Sequence, residues 1–180
     1  MFIAFAFPLD RAYTVSRNTP PKILSHEGKP RMELVEIPEA DKERHLDLLL
    51  IADESADMIE RYLHRGDLLA LIEDDEARAL CVVTQEEPDV FEIKNIVTVP
   101  EHRRKGYGRR LIALVAERYR NRGGWLLVGT GDVPGILRFY ERCGFERSHV
   151  VENFFVDNYD HPMYEDGHKL MDMVYLRMRL

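Results

Sequence analysis

Apolar positions along the chain recur with two spacings, and each spacing predicts an element. From Met32 the run MELVEI alternates and predicts a strand. Leu46, Leu49 and Leu50 follow at helical spacing and predict a helix from about Asp41. A second helix is expected over ESADMIERYLHRG, with Met58, Ile59, Tyr62 and Leu63 as one stripe and Gly66 as its stop. DLLALIE and ARALCVVTQ read as strands joined by an acidic turn at Asp74, Asp75 and Glu76, and a further strand runs from Phe91 to Pro100. Leu111, Leu114, Val115, Arg118 and Tyr119 mark a helix that ends near Gly123 and Gly124. WLLVGT from Trp125 is a short buried-type strand. The next helix is expected to start with Asp132 as its cap and to show Ile136, Phe139, Tyr140 and Cys143 on one face. The tail reads as a hairpin-like pair of strands, FERSHVVENFFV and a closing strand with Leu170, Val174, Leu176 and Met178 on one face, separated by an irregular stretch over 158–167.

Residues 1–31 break this pattern. Pro20, Pro21, Gly28 and Pro30 sit among polar residues without a sustained period, so this part is expected to be a flexible or extended N-terminal extension, with one domain over 32–180. Its apolar start has no basic leader and no cleavage signal, and no run reaches the length of a membrane span. Composition sharpens the class. With 45% apolar and 32% charged residues the chain reads as a soluble globular protein, and a net charge of −7 argues against nucleic acid as a partner. Cys81 and Cys143 are too few and too far apart for a metal knuckle, and read as reduced thiols of a cytoplasmic protein. The scattered histidines have no zinc-type spacing, so no metal is expected.

The chemistry concentrates between Phe91 and Arg110, where a strand, a basic glycine turn and a helix start follow one another. Unpaired amides and the helix dipole make such a junction suited to phosphate. It is neither a P-loop, which needs four residues between its glycines, nor a dinucleotide fingerprint, because Leu111 stands where the third glycine would be. Arg103-x-x-Gly106-x-Gly108 after a strand ending in V-x-P, followed downstream by VGTG and by ILRFYERCGF from Ile136 to Phe145, resembles the Gcn5-related N-acetyltransferase (GNAT) superfamily. The tail also looks like that of an uncharacterised bacterial subfamily of small acetyltransferases. The resemblance implies an α/β fold with a splayed mixed sheet and helices on both faces, and acetyl-CoA as cosubstrate. It implies further that backbone amides from Arg104, Lys105, Gly106, Tyr107, Gly108 and Arg109 cradle a pyrophosphate, with the Arg103 side chain stabilising the loop. Val97, Thr98 and Val99 would pair their backbone with the pantetheine arm. Asp132 stands where many relatives carry an asparagine that bonds pantetheine; a carboxylate only accepts, so part of that contact would be lost.

Acetyl transfer to an amine needs a base for its proton and an acid for the leaving thiolate. Tyr140 occupies the position where the superfamily often carries its acid, although the same residue would also serve the core stripe. Glu92 lies fourteen residues before Gly106, the offset of the base in the histone-acetyltransferase branch. Alternation puts Glu92 and Lys94 on one face of the strand and Asn95 on the other, and the ammonium weakens Glu92 as a base near neutral pH, with water as the alternative relay. Tyr159, Tyr164 and Glu165 form either a plain surface loop or a wall suited to a cationic amine. The expected function is transfer from acetyl-CoA to a primary amine, of a small molecule or a protein, by direct attack. The alternative is an acyl-CoA-binding regulatory protein without efficient turnover. A homodimer is compatible with the sequence.

Overall fold

The computed structural model describes residues 32–180. The expected extension, residues 1–31, lies outside the described residues. Strands β1 (Met32–Glu36), β2 (Asp67–Glu73), β3 (Glu76–Glu87) and β4 (Val90–Thr98) pair antiparallel in chain order. The β2–β3 link is a two-residue turn in which Asp74 (φ 53°) and Asp75 (φ 65°) are both left-handed, as the twist of a tight hairpin requires. Beyond β4 the order is interrupted: β5 (Trp125–Gly131) joins β4 in parallel, and β9 (Met173–Arg179) and β6 (Glu146–Val151) extend the sheet to β1-β2-β3-β4-β5-β9-β6. The irregular stretch before β9 folds into a small hairpin, β7 (Tyr164–Glu165) with β8 (His168–Lys169).

Helices cover both faces. α1 (Leu46–Leu49) and α2 (Ala56–Leu63) pack Leu48, Leu49, Ile59 and Leu63 against Leu68, Ala70, Leu80 and Val82. α3 (Tyr107–Tyr119) and α4 (Pro134–Arg142) pack Leu111, Val115, Ile136 and Leu137 against the alternate strand positions Leu69, Leu71, Cys81 and Val83. A short α5 (Phe154–Asn158) adds Phe155 to the same layer. Three local expectations change. The helix expected from Asp41 is a 3-10 turn over Glu39–His45 that becomes α-helical only at α1. FFV, expected to continue the strand, opens α5 instead. The cap of α4 is Val133 rather than Asp132, because a tight turn closes from the Val133 amide to the Gly131 carbonyl (2.8 Å) and starts the helix one residue later.

One irregularity shapes the centre of the sheet. Val82 faces Asn95 and Val83 faces Ile93, so Lys94 is an extra residue on β4, a β-bulge. Phe91, Ile93 and Ile96 therefore share the α3–α4 side, while Val97 belongs to the α1–α2 side. Asn95, expected opposite Glu92, lies on the α1–α2 side as well, donating to the Leu49 carbonyl and to Tyr62, each at 3.1 Å. Alternation fails there because an inserted residue reverses the parity of all that follow. Pairing of β4 with β5 ends at the same place: Val90–Ile93 match Trp125–Val128, and past Ile93 the two strands diverge, β4 staying with β3 and β5 with β9.

The α2 end is closed by a buried lysine. Lys42 Nζ donates to the carbonyls of Leu63 (3.0 Å) and Gly66 (2.7 Å) and pairs with Glu39 (2.6 Å). These carbonyls lie where a helix runs out of its own donors. Lys42→Met keeps the apolar stem and removes the donors, and is expected to lower the unfolding free energy by about 1–3 kcal/mol in a urea titration.

Candidate functional site

Past the point where β4 and β5 part, a cavity of about 480 Å³ lies between β4, the turn that leads into α3, and α4. Ile96, Val97 and Thr98 of β4 form one wall. Its mouth is the turn between β4 and α3, where Arg104 (φ 59°) and Gly106 (φ 89°) are both left-handed. The first intrahelical bond of α3 runs from the Arg110 amide to the Gly106 carbonyl (3.0 Å), so the amides of Tyr107, Gly108 and Arg109 have no acceptor within the helix. A Cβ on Gly108 would stand 3.3 Å from Thr98 Oγ1 and 3.5 Å from the Phe139 ring, which keeps the wall thin at this point. Arg103, Arg104, Arg109 and Arg142 line the cavity and make it a site for an anion joined to a long apolar arm.

The turn is anchored from behind. Tyr107 donates its hydroxyl to Glu73 Oε2 at 2.6 Å, and that bond raises the phenol above its ordinary pKa. Glu73 also receives Arg78 Nε (3.2 Å), and Arg78 Nη1 reaches His102 Nε2 (2.8 Å). Burial, then the Arg78 charge, lowers the imidazole pKa, so His102 accepts as a neutral ring. Arg103 Nε donates to the Thr98 carbonyl at 3.4 Å. The loop is thus tied at both ends to the β2–β3 hairpin and to β4.

Along the opposite wall runs α4. Sequence spacing groups Ile136, Phe139, Tyr140 and Cys143 on one face, but the helix divides them: Gly135, Phe139, Arg142 and Cys143 line the cavity, Leu137 and Tyr140 are buried in the core, and the buried Ile136 reaches both. Tyr140 is fully buried, edge-on to Phe139 and Phe145, and among the described residues its hydroxyl has no hydrogen-bond partner. Burial first, then the nearby Glu165 charge, pushes this phenol well above its ordinary pKa and keeps it protonated.

Among the residues singled out by the sequence, Val97, Thr98, Arg103, Arg104, Gly106, Tyr107, Gly108 and Arg109 line the cavity, while Val99, Lys105 and Asp132 do not. The Val99 amide is engaged by the Arg78 carbonyl (3.0 Å). Glu92 is buried on β4 outside the lining, and its Oε1 accepts from Lys94 Nζ (2.9 Å) and from the Tyr175 hydroxyl (3.4 Å). Arg142 and Asp166 line the cavity without having been singled out for it. The i, i+3, i+7 spacing of Ile136, Phe139 and Cys143 is a signal for the lining face of α4, but Asp166 arrives from a separate hairpin and carries no such mark. Among the described residues no group of three or more His, Cys, Asp or Glu is placed to hold a metal ion, and no helix is long and apolar enough to cross a membrane.

This geometry has counterparts. The profile described as "Acetyltransferase (GNAT) family" matches residues 32–145. The chain belongs to the GNAT family. An uncharacterized N-acetyltransferase of Bacillus subtilis, YvbK, is 32% identical over 148 residues, covering 81% of this chain and 96% of its own. A GNAT acetyltransferase from Elizabethkingia anophelis, solved with acetyl-CoA bound, superposes with a TM-score of 0.78 at 32% identity, covering 83% of this chain and 98% of its own. A Bacillus subtilis acetyltransferase in complex with CoA gives 0.74 at 32% identity, covering 84% and 99%. The mixed seven-stranded sheet with helices on both faces is the GNAT fold expected from the sequence.

The two thiols differ in access. Cys143 lines the cavity and burial pushes it up to about 11, while Cys81 is fully buried and raised further by the same cause. N-ethylmaleimide is expected to label Cys143 slowly near neutral pH and faster as pH climbs, leaving Cys81 unmodified, as read by mass spectrometry of the intact protein and its peptides.

Proposed function

We propose that this chain transfers the acetyl group of acetyl-CoA to a primary amine, carried by a small molecule or a protein, by direct attack. The observation that carries the reading is the slot opened by the Lys94 bulge, with phosphate-binding amides at its mouth and α4 along its side. When bound, acetyl-CoA supplies an activated thioester. The residues present fit such a ligand: the amides of the first α3 turn and the arginines around them suit a pyrophosphate, and Val97 and Thr98 offer backbone groups on the open side of β4 to an amide-bearing arm. An N–H from the same strand edge would also stabilise negative charge developing on the thioester carbonyl.

Tyr140 is the acid in this reading. It stands behind the cavity-lining Phe139, and burial keeps its phenol protonated at neutral pH, so it holds a proton for the departing thiolate. Burial raises the Cys143 thiol to about 11 and favours its protonated form, which supports direct attack over a covalent carrier.

Two measurements test this reading. Amine-dependent release of free thiol from acetyl-CoA is expected across a panel of primary amines, and Tyr140→Phe should lower kcat about 100-fold with acetyl-CoA affinity unchanged. Acetyl-CoA binding without any amine-dependent release would instead make the chain an acyl-CoA-binding regulatory protein. Gly106→Val puts a β-branched residue at φ 89°. It should weaken acetyl-CoA binding at least about tenfold by calorimetry, and unchanged affinity would remove the cradle assignment.

A further inference from the structure

Segments distant in sequence meet beside the β4 bulge. Asp53, 3% exposed in the turn before α2, accepts from the hydroxyls of Tyr62 and Tyr159, each at 3.2 Å, and from the Ser55 amide at 3.1 Å. Tyr62 in turn accepts from Asn95, next to Ile96 of the cavity wall. These bonds tie the chain after α5 to α2 and to β4, and they satisfy Asp53 without a cation.

Glu165 is different. It is 7% exposed, and among the described residues neither carboxylate oxygen has a hydrogen-bond partner. It sits in the β7–β8 hairpin, which is held over the start of α4. Leu170 packs so closely on Gly131 that an added Cβ there would lie 2.5 Å from it, and Asp166 Oδ2 comes within 3.9 Å of the corresponding position on Gly135. The next residue, Asp166, lines the cavity, and Glu165 lies just behind that lining, near enough to act electrostatically on the Tyr140 hydroxyl, itself buried without a partner among the described residues. A buried carboxylate lacking any donor is costly to the fold and calls for a guest that supplies one. Glu92, by contrast, already holds Lys94 and Tyr175.

We infer that Glu165 receives the primary ammonium of the acceptor and takes a proton from it, making cationic amines the substrate class; this rests on the acetyl-transfer reading above. Among the described residues, the groups facing Glu165 are Asp166 on its own hairpin, Glu54 from the turn before α2, with His161 3.6 Å from Glu54, and Tyr140 on α4. Glu54, Asp166 and Glu165 together repel anionic acceptors. The protons balance. Ionised Glu165 removes one proton from the ammonium and leaves a neutral nitrogen. The nitrogen lone pair forms the bond to the acetyl carbon, and the carbon–sulfur bond breaks with its electron pair on sulfur, which takes the Tyr140 proton. A second nitrogen proton restores the phenol, the third stays in the amide, and the proton on Glu165 leaves to solvent. One ammonium and one thioester thus yield one amide, one thiol and one proton. Burial first, with repulsion from Asp166 and Glu54, pushes Glu165 from near 4.5 up to about 8, basic enough for this exchange near neutral pH.

The test compares wild type with Glu165→Gln and Glu165→Asp, using n-butylamine and 1,4-diaminobutane as acceptors. Wild-type kcat/KM should rise with pH through about 8. Glu165→Gln should lose that limb and at least about 100-fold in kcat/KM at unchanged acetyl-CoA affinity, while Glu165→Asp keeps a limb at reduced height. A second readout uses the ligand-free protein. A carboxyl raised in the fold stabilises it below its unfolded pKa and loses that contribution as pH rises towards about 8, so Glu165→Gln should gain on wild type across this window. Its melting temperature should exceed that of wild type by about 3 °C or more above pH 8. Active wild type with Glu165→Gln within about threefold of it and sharing its pH limb overturns the Glu165 role alone. Melting curves of the two proteins that stay parallel from acid to alkaline pH overturn it too. A wild type that binds acetyl-CoA and acetylates neither amine removes the reaction reading, and the Glu165 role with it.

Discussion

Hydrogen bonds between β4 and β5 stop at Ile93 and Val128, because Lys94 is one residue more than β3 can match and bends β4 away. Nearly every functional feature depends on that divergence. A regular parallel pair would have consumed the backbone groups of residues 94–98 in a ladder and filled the space where the cavity now lies. The bulge also turns Asn95 towards α2, where it joins Tyr62, Asp53 and Tyr159 in one network. One inserted residue therefore both opens the slot and recruits its neighbouring wall.

The glycine turn at the mouth would have little shape without support. Gly106 and Arg104 can adopt left-handed backbone, but conformational freedom alone does not hold amides in register. The Tyr107–Glu73–Arg78–His102 chain supplies that constraint by linking the turn to the β2–β3 hairpin. Charges buried this deeply cost desolvation, and mutual hydrogen bonds offset it. The result is a rigid donor array made from a locally permissive stretch.

The same region shows where the molecule gives up stability. Among the described residues the Tyr140 hydroxyl, Thr130 Oγ1 and both Glu165 oxygens are buried without partners, whereas both Asp53 oxygens and Glu73 Oε2 accept hydrogen bonds. Tyr140, Thr130 and Glu165 do not line the cavity itself, and each leaves a polar group in the interior where an apolar replacement would be cheaper for folding alone.

Much of this was legible in the chain itself. Strand and helix periods located nearly all elements, and Arg103-x-x-Gly106-x-Gly108 with FYERCGF identified the cavity mouth and its facing helix, because tight turns and amphipathic faces are encoded by neighbours a few residues apart. What no local spacing carries is a meeting of distant segments. The Lys94 bulge exists only relative to the register of β3, and it reversed the facing expected of Asn95. The division of α4, with Phe139 and Cys143 towards the cavity and Tyr140 towards the core, depends on where β5 and the β7–β8 hairpin press on it. Glu165 stood out in the sequence only as part of a segment that was either a plain loop or an amine wall; its isolation became visible when folding withdrew it from water and the described residues brought it no donor. Sequence by itself determined the periods and the turn chemistry; tertiary packing decided parity, access and protonation, because those depend on what the rest of the chain places alongside.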